Sequence, residues 1–156
     1  MPDRYAVWLD RDVLIASGPE AANFLQGQLS QDLQGIGQRQ SAWSFVLSPQ
    51  GKIDALVRVT RLPGDDWLLD TDQGLGDALA QRLNRFKLRT KIDIERVPWR
   101  SFGLRGDGAG VPPVEGAVAV VPAWPGIDGV DFIGPDLSVP EGWNVIEGSE
   151  DEAARI

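Results

Sequence analysis

The side chains able to do chemistry here are carboxylates, hydroxyls, lysines and arginines, because the 156 residues include no cysteine and no histidine. That excludes thiolate nucleophiles, disulfides, Cys-ligated clusters, imidazole general bases and the usual zinc sites. No D-x-[DN]-x-[DN]-G calcium loop occurs either. What is left suits binding better than catalysis by these residues alone. Gln50-Gly51-Lys52-Ile53-Asp54 places an acid soon after a turn. Acids beside loops on a rigid sheet are well placed to hold polar ligand groups, although Asp54 could equally be a solvated residue near a strand end. Residues 82–91 carry Arg82, Arg85, Lys87, Arg89 and Lys91 with no acid among them. Such a cluster could hold phosphate, a polyglutamate tail or RNA backbone. It could as well be a helix C-terminus whose cations oppose the dipole, followed by a solvated strand edge.

Other motifs are weaker. Gly103-Leu104-Arg105-Gly106-Asp107-Gly108 has glycines but no following lysine–serine/threonine pair, so it is a poor phosphate loop. The Arg105-Gly106-Asp107 tripeptide within it matches an adhesion motif by chance. Trp43, Phe45, Trp67, Trp99 and Phe102 fall in expected strands. Most should be core, leaving one or two to wall a ring-shaped ligand.

The elements that must position these residues read as α+β, with mainly antiparallel sheets and two amphipathic helices. Residues 5–9 and 13–16 are short strands joined at Asp10-Arg11-Asp12. Ser17-Gly18-Pro19-Glu20 fits a capping box for a helix carrying Phe24 or Leu25, Leu29 and Leu33 on one face. Residues 42–47 and 53–62 flank Ser48-Pro49-Gln50-Gly51, a hairpin signature. After the turn at 63–66 come a strand at 67–70 and a helix over about 73–87, aligning Leu75, Leu79, Leu83 and Phe86. Strands follow at 92–97 and 99–104, with two more expected at 118–121 and 130–133. Residues 112–142 contain six prolines, so long connections are expected between them. Residues 1–148 read as one region, and 149–156 as the start of a helix cut short.

Composition sets the broad class. Hydrophobic residues make up 42% of the chain and charged residues 24%, which suits a packed domain. No apolar run approaches the roughly 18 residues of a spanning helix, and no signal peptide opens the chain, so a cytoplasmic address with no membrane partner is the expectation. The net charge is −8, and residues 128–156 hold eight acids against Arg155 alone. That balance disfavours non-specific nucleic-acid binding.

Several segments, in order, resemble the YgfZ-type family, relatives of the aminomethyltransferase T-protein of the glycine cleavage system. Leu14 to Asp32 resembles that family's opening strand and its SG-x-[DE]-x-x-x-FLQGQ helix. Leu47-Ser48-Pro49-Gln50-Gly51-Lys52-Ile53 is similar to its L-x-x-x-G-[KR]-[IM] turn, and Trp67 through Ile92 to its LLdtd…r-[FY]-x-[LV]-r-x-K-[IV] stretch. Glu152 to Ile156 looks like the entry to a segment that continues family chains. The family's K-G-C-Y-x-G-Q-E motif does not occur here, so the resemblance implies its folate-binding first half, from a fragment or a shortened gene. It also implies tetrahydrofolate as cofactor and a role in maintaining iron–sulfur enzymes, with links to tRNA modification. Iron–sulfur enzymes or assembly proteins are then the expected partners. On this reading Asp54, Gln50, Gly51 and Lys52 border a pterin pocket, and Arg85 or Arg89 meets the glutamate tail. The transferase branch carries paired aspartates at the turn. Asp54 matches the first and Ala55 replaces the second, which argues against aminomethyl transfer, the first alternative. The second alternative is an RNA or protein interaction module built on residues 82–91.

Overall fold

The computed structural model describes residues 4–30, 32–37, 40–47, 53–106, 114–120 and 129–146. Along the chain these form β1 (Arg4–Leu9), β2 (Arg11–Ser17), α1 (Ala21–Gln28), β3 (Ser41–Leu47), β4 (Ile53–Arg61), β5 (Trp67–Asp72), α2 (Gly76–Phe86), β6 (Asp93–Val97), β7 (Arg100–Gly106), β8 (Val118–Val120), β9 (Gly129–Gly134) and β10 (Val145–Ile146). They belong to two compact units, Arg11–Pro98 and Met1–Asp10 with Trp99–Ile156. The stretch 1–148, read from the sequence as one region, therefore contains all of the first unit and most of the second, and the helix expected at 149–156 lies outside the described residues.

In the Arg11–Pro98 unit five antiparallel strands run in the order β3-β4-β5-β2-β6. Successive side chains of a strand point to opposite faces. One face gives Leu14, Ala16, Val46, Val57, Val59, Trp67 and Leu69 to the core, and the helices add Phe24, Leu25, Leu79 and Leu83. The β3–β4 hairpin expected from the proline–glycine turn is present, with a register shift near its tip. Helix α2 also forms as its periodicity predicts, but Leu75 and Phe86 at its ends are exposed.

Two local expectations fail for long-range reasons. The capping box does not form: Glu20 makes no side-chain cap, and its carboxylate instead accepts from the Lys91 backbone N at 2.6 Å. Helix α1 stops at Gln28 rather than continuing to Leu33. Leu29 turns extended and bridges to Val46, while Ser30 N donates to Phe45 O at 3.0 Å. The free edge of β3 thus captures the chain, and Leu29 and Leu33 are buried without a continuous helix. Nor do β1 and β2 pair with each other. They lie in different sheets.

The second unit has strand order β10-β1-β7-β9-β8, antiparallel except for the β1–β10 pair, which the sequence reading missed. Phe102 anchors its core, with Trp8 edge-on at 5.4 Å and Phe132 at 5.5 Å between ring centroids. Arg105 of the apparent adhesion tripeptide is buried, and its Nη2 donates to Asp131 Oδ1 at 2.5 Å. That arginine is an internal structural charge. Among the described residues no helix is long and apolar enough to cross a membrane.

Candidate functional site

The register of the five-stranded sheet lines up Trp43 of β3, Arg58 of β4, Asp70 of β5, Val13 of β2 and Val97 of β6 in one row. This row lies on the face turned away from α1 and α2, because Val57, Val59 and Leu69, which alternate with it, face the helices. Arg58 and Asp70 are directly opposite each other and wholly buried. Arg58 donates from Nε to Oδ1 at 3.0 Å and from Nη2 to Oδ2 at 2.8 Å. Arg11, two residues before Val13, reaches the same carboxylate, with Nε to Asp70 Oδ2 at 2.8 Å, and its Nη1 meets Asp72 Oδ1 at 2.8 Å. Both guanidinium groups lie within cation–π range of the Trp43 ring, at 5.5 Å for Arg11 and 5.3 Å for Arg58.

Next to this charged row, on the same face, Phe45 stands opposite Leu56, and both are exposed while Trp43 is half-buried. An aromatic ring braced by two fixed cations, with an exposed apolar pair beside it, offers a flat surface to a planar ligand. The half-exposed Asp72 carboxylate adds an acceptor at its margin. Because the buried donors are already tied to aspartates, the row orients and stiffens the surface and offers no free nucleophile. Of the five aromatic residues singled out in the sequence, Trp67 and Phe102 are core and Trp43 and Phe45 border this surface.

Asp12, on the helix-facing side of β2, holds this end of the unit together. Its Oδ2 accepts from Gly74 N at 3.0 Å and from Gly76 N at 2.9 Å, capping α2 from a strand, and its Oδ1 meets Arg96 at 2.9 Å. The hydrogen bond to Asp77, helped by the charges of Asp12 and Asp77, raises the Arg96 pKa above its ordinary value, so that side chain stays cationic.

The predicted site residues divide in space. Gln50, Gly51 and Lys52 lie outside the described residues. The backbone of Asp54 belongs to β4, and the register passes from Val46 opposite Ala55 to Leu47 opposite Ile53, which makes Asp54 the extra residue of a bulge. Bulges of this kind re-aim a strand and recur beside binding sites. The start of β4 lies at the end of the sheet marked by Arg11 opposite Asp72. Arg85 and Arg89 lie at the other end. From Asp12 helix α2 runs the length of the sheet, and the chain re-enters at Lys91, whose carbonyl accepts from Glu20 N just beyond Ser17. The six steps from Arg11 to Ser17 separate the two groups by roughly 20 Å. The structure therefore places Arg85 and Arg89 away from the hairpin end, where the pterin-bordering residues were expected.

Sequence reasoning missed Arg11, Arg58, Asp70 and Asp72. The signal available was charge inside apolar strands: Arg58 between Val57 and Val59, and Asp70 after Leu68-Leu69. Among the described residues no three His, Cys, Asp or Glu side chains gather as a metal site. A cavity of about 120 Å³ lies instead near the far end of β4, lined by α1 residues with Leu33, Gln34, Arg61 and Trp67.

No family model matches the chain. Among curated proteins it is 30% identical over 102 residues to an iron–sulfur cluster assembly factor IBA57 homolog, mitochondrial, of Chaetomium globosum, covering 54% of this chain and 23% of that protein. It is 28% identical over 96 residues to the homolog of the same name in Mycosarcoma maydis, covering 54% and 24%. An uncharacterized protein of Haemophilus influenzae matches at 22% over 93 residues, covering 60% and 33%. The chain thus spans about a quarter to a third of the length of these relatives. Among solved structures, glycine cleavage system aminomethyltransferase T from Bartonella henselae superimposes with a TM-score of 0.74 at 18% identity, covering 85% of this chain and 42% of that one. The α+β reading and the YgfZ and T-protein resemblance both stand: the chain has the aminomethyltransferase T fold over most of its length, with sequence similarity to IBA57 homologs.

Proposed function

We propose that the Arg11–Pro98 unit binds a reduced folate, with the pterin ring laid against Trp43, Phe45 and Leu56 at the hairpin end of the sheet, and that the protein serves iron–sulfur cluster assembly or the upkeep of iron–sulfur enzymes. The observation that carries the reading is the Trp43 ring braced by Arg11 and Arg58 beside the exposed Phe45–Leu56 pair. A pterin is planar and presents ring N–H and amino donors. An apolar surface edged by a carboxylate matches both features. Asp72 and the Gln50–Lys52 turn with Asp54 are the residues proposed to border the pterin, and Arg85 and Arg89, about the length of β2 away, are not part of that border. The resemblance of the Leu14–Asp32, Leu47–Ile53 and Trp67–Ile92 segments supplies the cofactor class, and the names of the relatives supply the iron–sulfur role. A link to tRNA modification and a cytoplasmic setting belong to the same proposal. Ala55 stands where a transferase would carry its second aspartate, which argues against aminomethyl transfer even though Asp54 matches the first.

Titration with tetrahydrofolate, read by tryptophan fluorescence, tests the site. Wild type should show a saturable change that is largely lost in Trp43→Phe, and Asp54→Ala should weaken binding about tenfold, equivalent to ~1.4 kcal/mol. An equal response from Asp54→Ala removes that residue from the site. No saturable response in wild type removes the folate reading.

A further inference from the structure

The turn that follows α2 is built against its own stability. Leu88 has φ 46°, a left-handed conformation that glycine or asparagine usually fills at a helix C-terminus. Its side chain is 85% exposed, and Phe86 is exposed beside it. Folding alone would favour a glycine at 88, with neither the strain nor the apolar group in water. Around this leucine, Arg85, Lys87, Arg89 and Lys91 make no ion pair among the described residues. The Arg82 and Arg85 guanidinium groups instead lie 5.8 and 6.0 Å from the Phe86 ring. Compensation of the helix dipole accounts for Arg85 and Lys87 in and next to the last turn. It does not account for Arg89 and Lys91 beyond the helix, nor for a leucine held out at positive φ.

We propose that this turn docks an acidic segment of another protein, whose apolar side chain packs against Leu88 and Phe86 while its carboxylates pair with Arg85, Lys87, Arg89 and Lys91. A single apolar anchor ringed by cations has the anatomy of an interface hot spot with a charged rim. Charge complementarity favours a short acidic segment over other anions. The whole chain carries −8, which repels an extended polyphosphate or an anionic membrane beyond the patch. The most exposed apolar group, Leu88, does not stack on bases, the Phe86 ring has Arg82 and Arg85 within cation–π range, and one exposed turn lacks the broad apolar face of a membrane-binding helix. The surface lies at the end of the unit away from the proposed folate site, so either reading can fail without the other.

The test is a selection of displayed random peptides of about 12 residues on the wild-type chain, after depletion on the Leu88→Gly, Arg89→Glu double variant. The expected winners are rich in Asp and Glu with an apolar residue among them. A synthetic winner should bind the single variants Leu88→Gly and Arg89→Glu at least about tenfold more weakly than wild type. Leu88→Gly should unfold at a denaturant concentration equal to or above that of wild type, which separates loss of docking from loss of fold. The proposal is overturned if no peptide survives depletion, if the winners are not acidic, or if their affinity survives both substitutions. Leu88-dependent binding to phosphatidylcholine–phosphatidylserine vesicles or to oligouridylate, without acidic-peptide binding, reassigns the surface and overturns it as well.

Discussion

Arg58 and Asp70 face each other across β4 and β5 with both side chains sealed from water, joined by two hydrogen bonds of 3.0 and 2.8 Å. A buried pair of this kind contributes little net stability as a pair, but removing one partner strands the other. Here Asp70 also anchors Arg11. Asp70→Asn is therefore expected to destabilise the chain by about 3–5 kcal/mol, measured as a fall in the urea unfolding midpoint. The double change Arg58→Met, Asp70→Leu should be milder than Asp70→Asn, since it leaves no isolated charge in that pair. If Asp70→Asn unfolds like wild type, the row is not the rigid floor described for the ligand surface.

The cap on α2 comes from a residue more than sixty positions earlier in the chain. Asp12→Ala removes the acceptor for Gly74 N and Gly76 N, and a cost of about 1–2 kcal/mol is expected. Faster amide hydrogen exchange in the first turn of α2, with β3 and β4 unchanged, would locate the loss. Gly76→Ala should produce a related defect, because an added Cβ would stand 2.5 Å from Asp12 Cβ.

In the other unit Gly103 makes room for a buried charge. A Cβ at that position would lie 2.6 Å from Arg105 Nη1, against the guanidinium that Asp131 holds. Gly103→Ala is expected to destabilise by about 1–3 kcal/mol through overpacking, seen as a lowered Tm. A wild-type Tm in that variant would show that the arginine can shift without losing Asp131.

Local patterns were legible wherever local physics decides. Pro49 and Gly51 between two apolar runs marked the β3–β4 hairpin, and the spacing of Leu79 and Leu83 marked the buried stripe of α2. The bulge at Asp54 and the row from Trp43 to Val97 were not legible, because a one-residue change of register moves every side chain to the opposite face. The same limit misled the reading of Glu20. Ser17 and Glu20 have capping-box spacing, but the fold brings the Lys91 N–H within 2.6 Å of the Glu20 carboxylate.

By itself the sequence determined the α+β class, the absence of thiol and imidazole chemistry, and the family resemblance, since these rest on composition, periodicity and short motifs. Only the tertiary structure decided that β1 and β2 part into different sheets, that Arg11 and Arg58 converge on Asp70, and that Arg85 and Arg89 stand a sheet's length from the hairpin. Those relations depend on pairing between residues far apart in the chain. Every apolar strand could find more than one partner by its pattern alone, and the choice among them is settled by how all five strands and both helices bury their faces together.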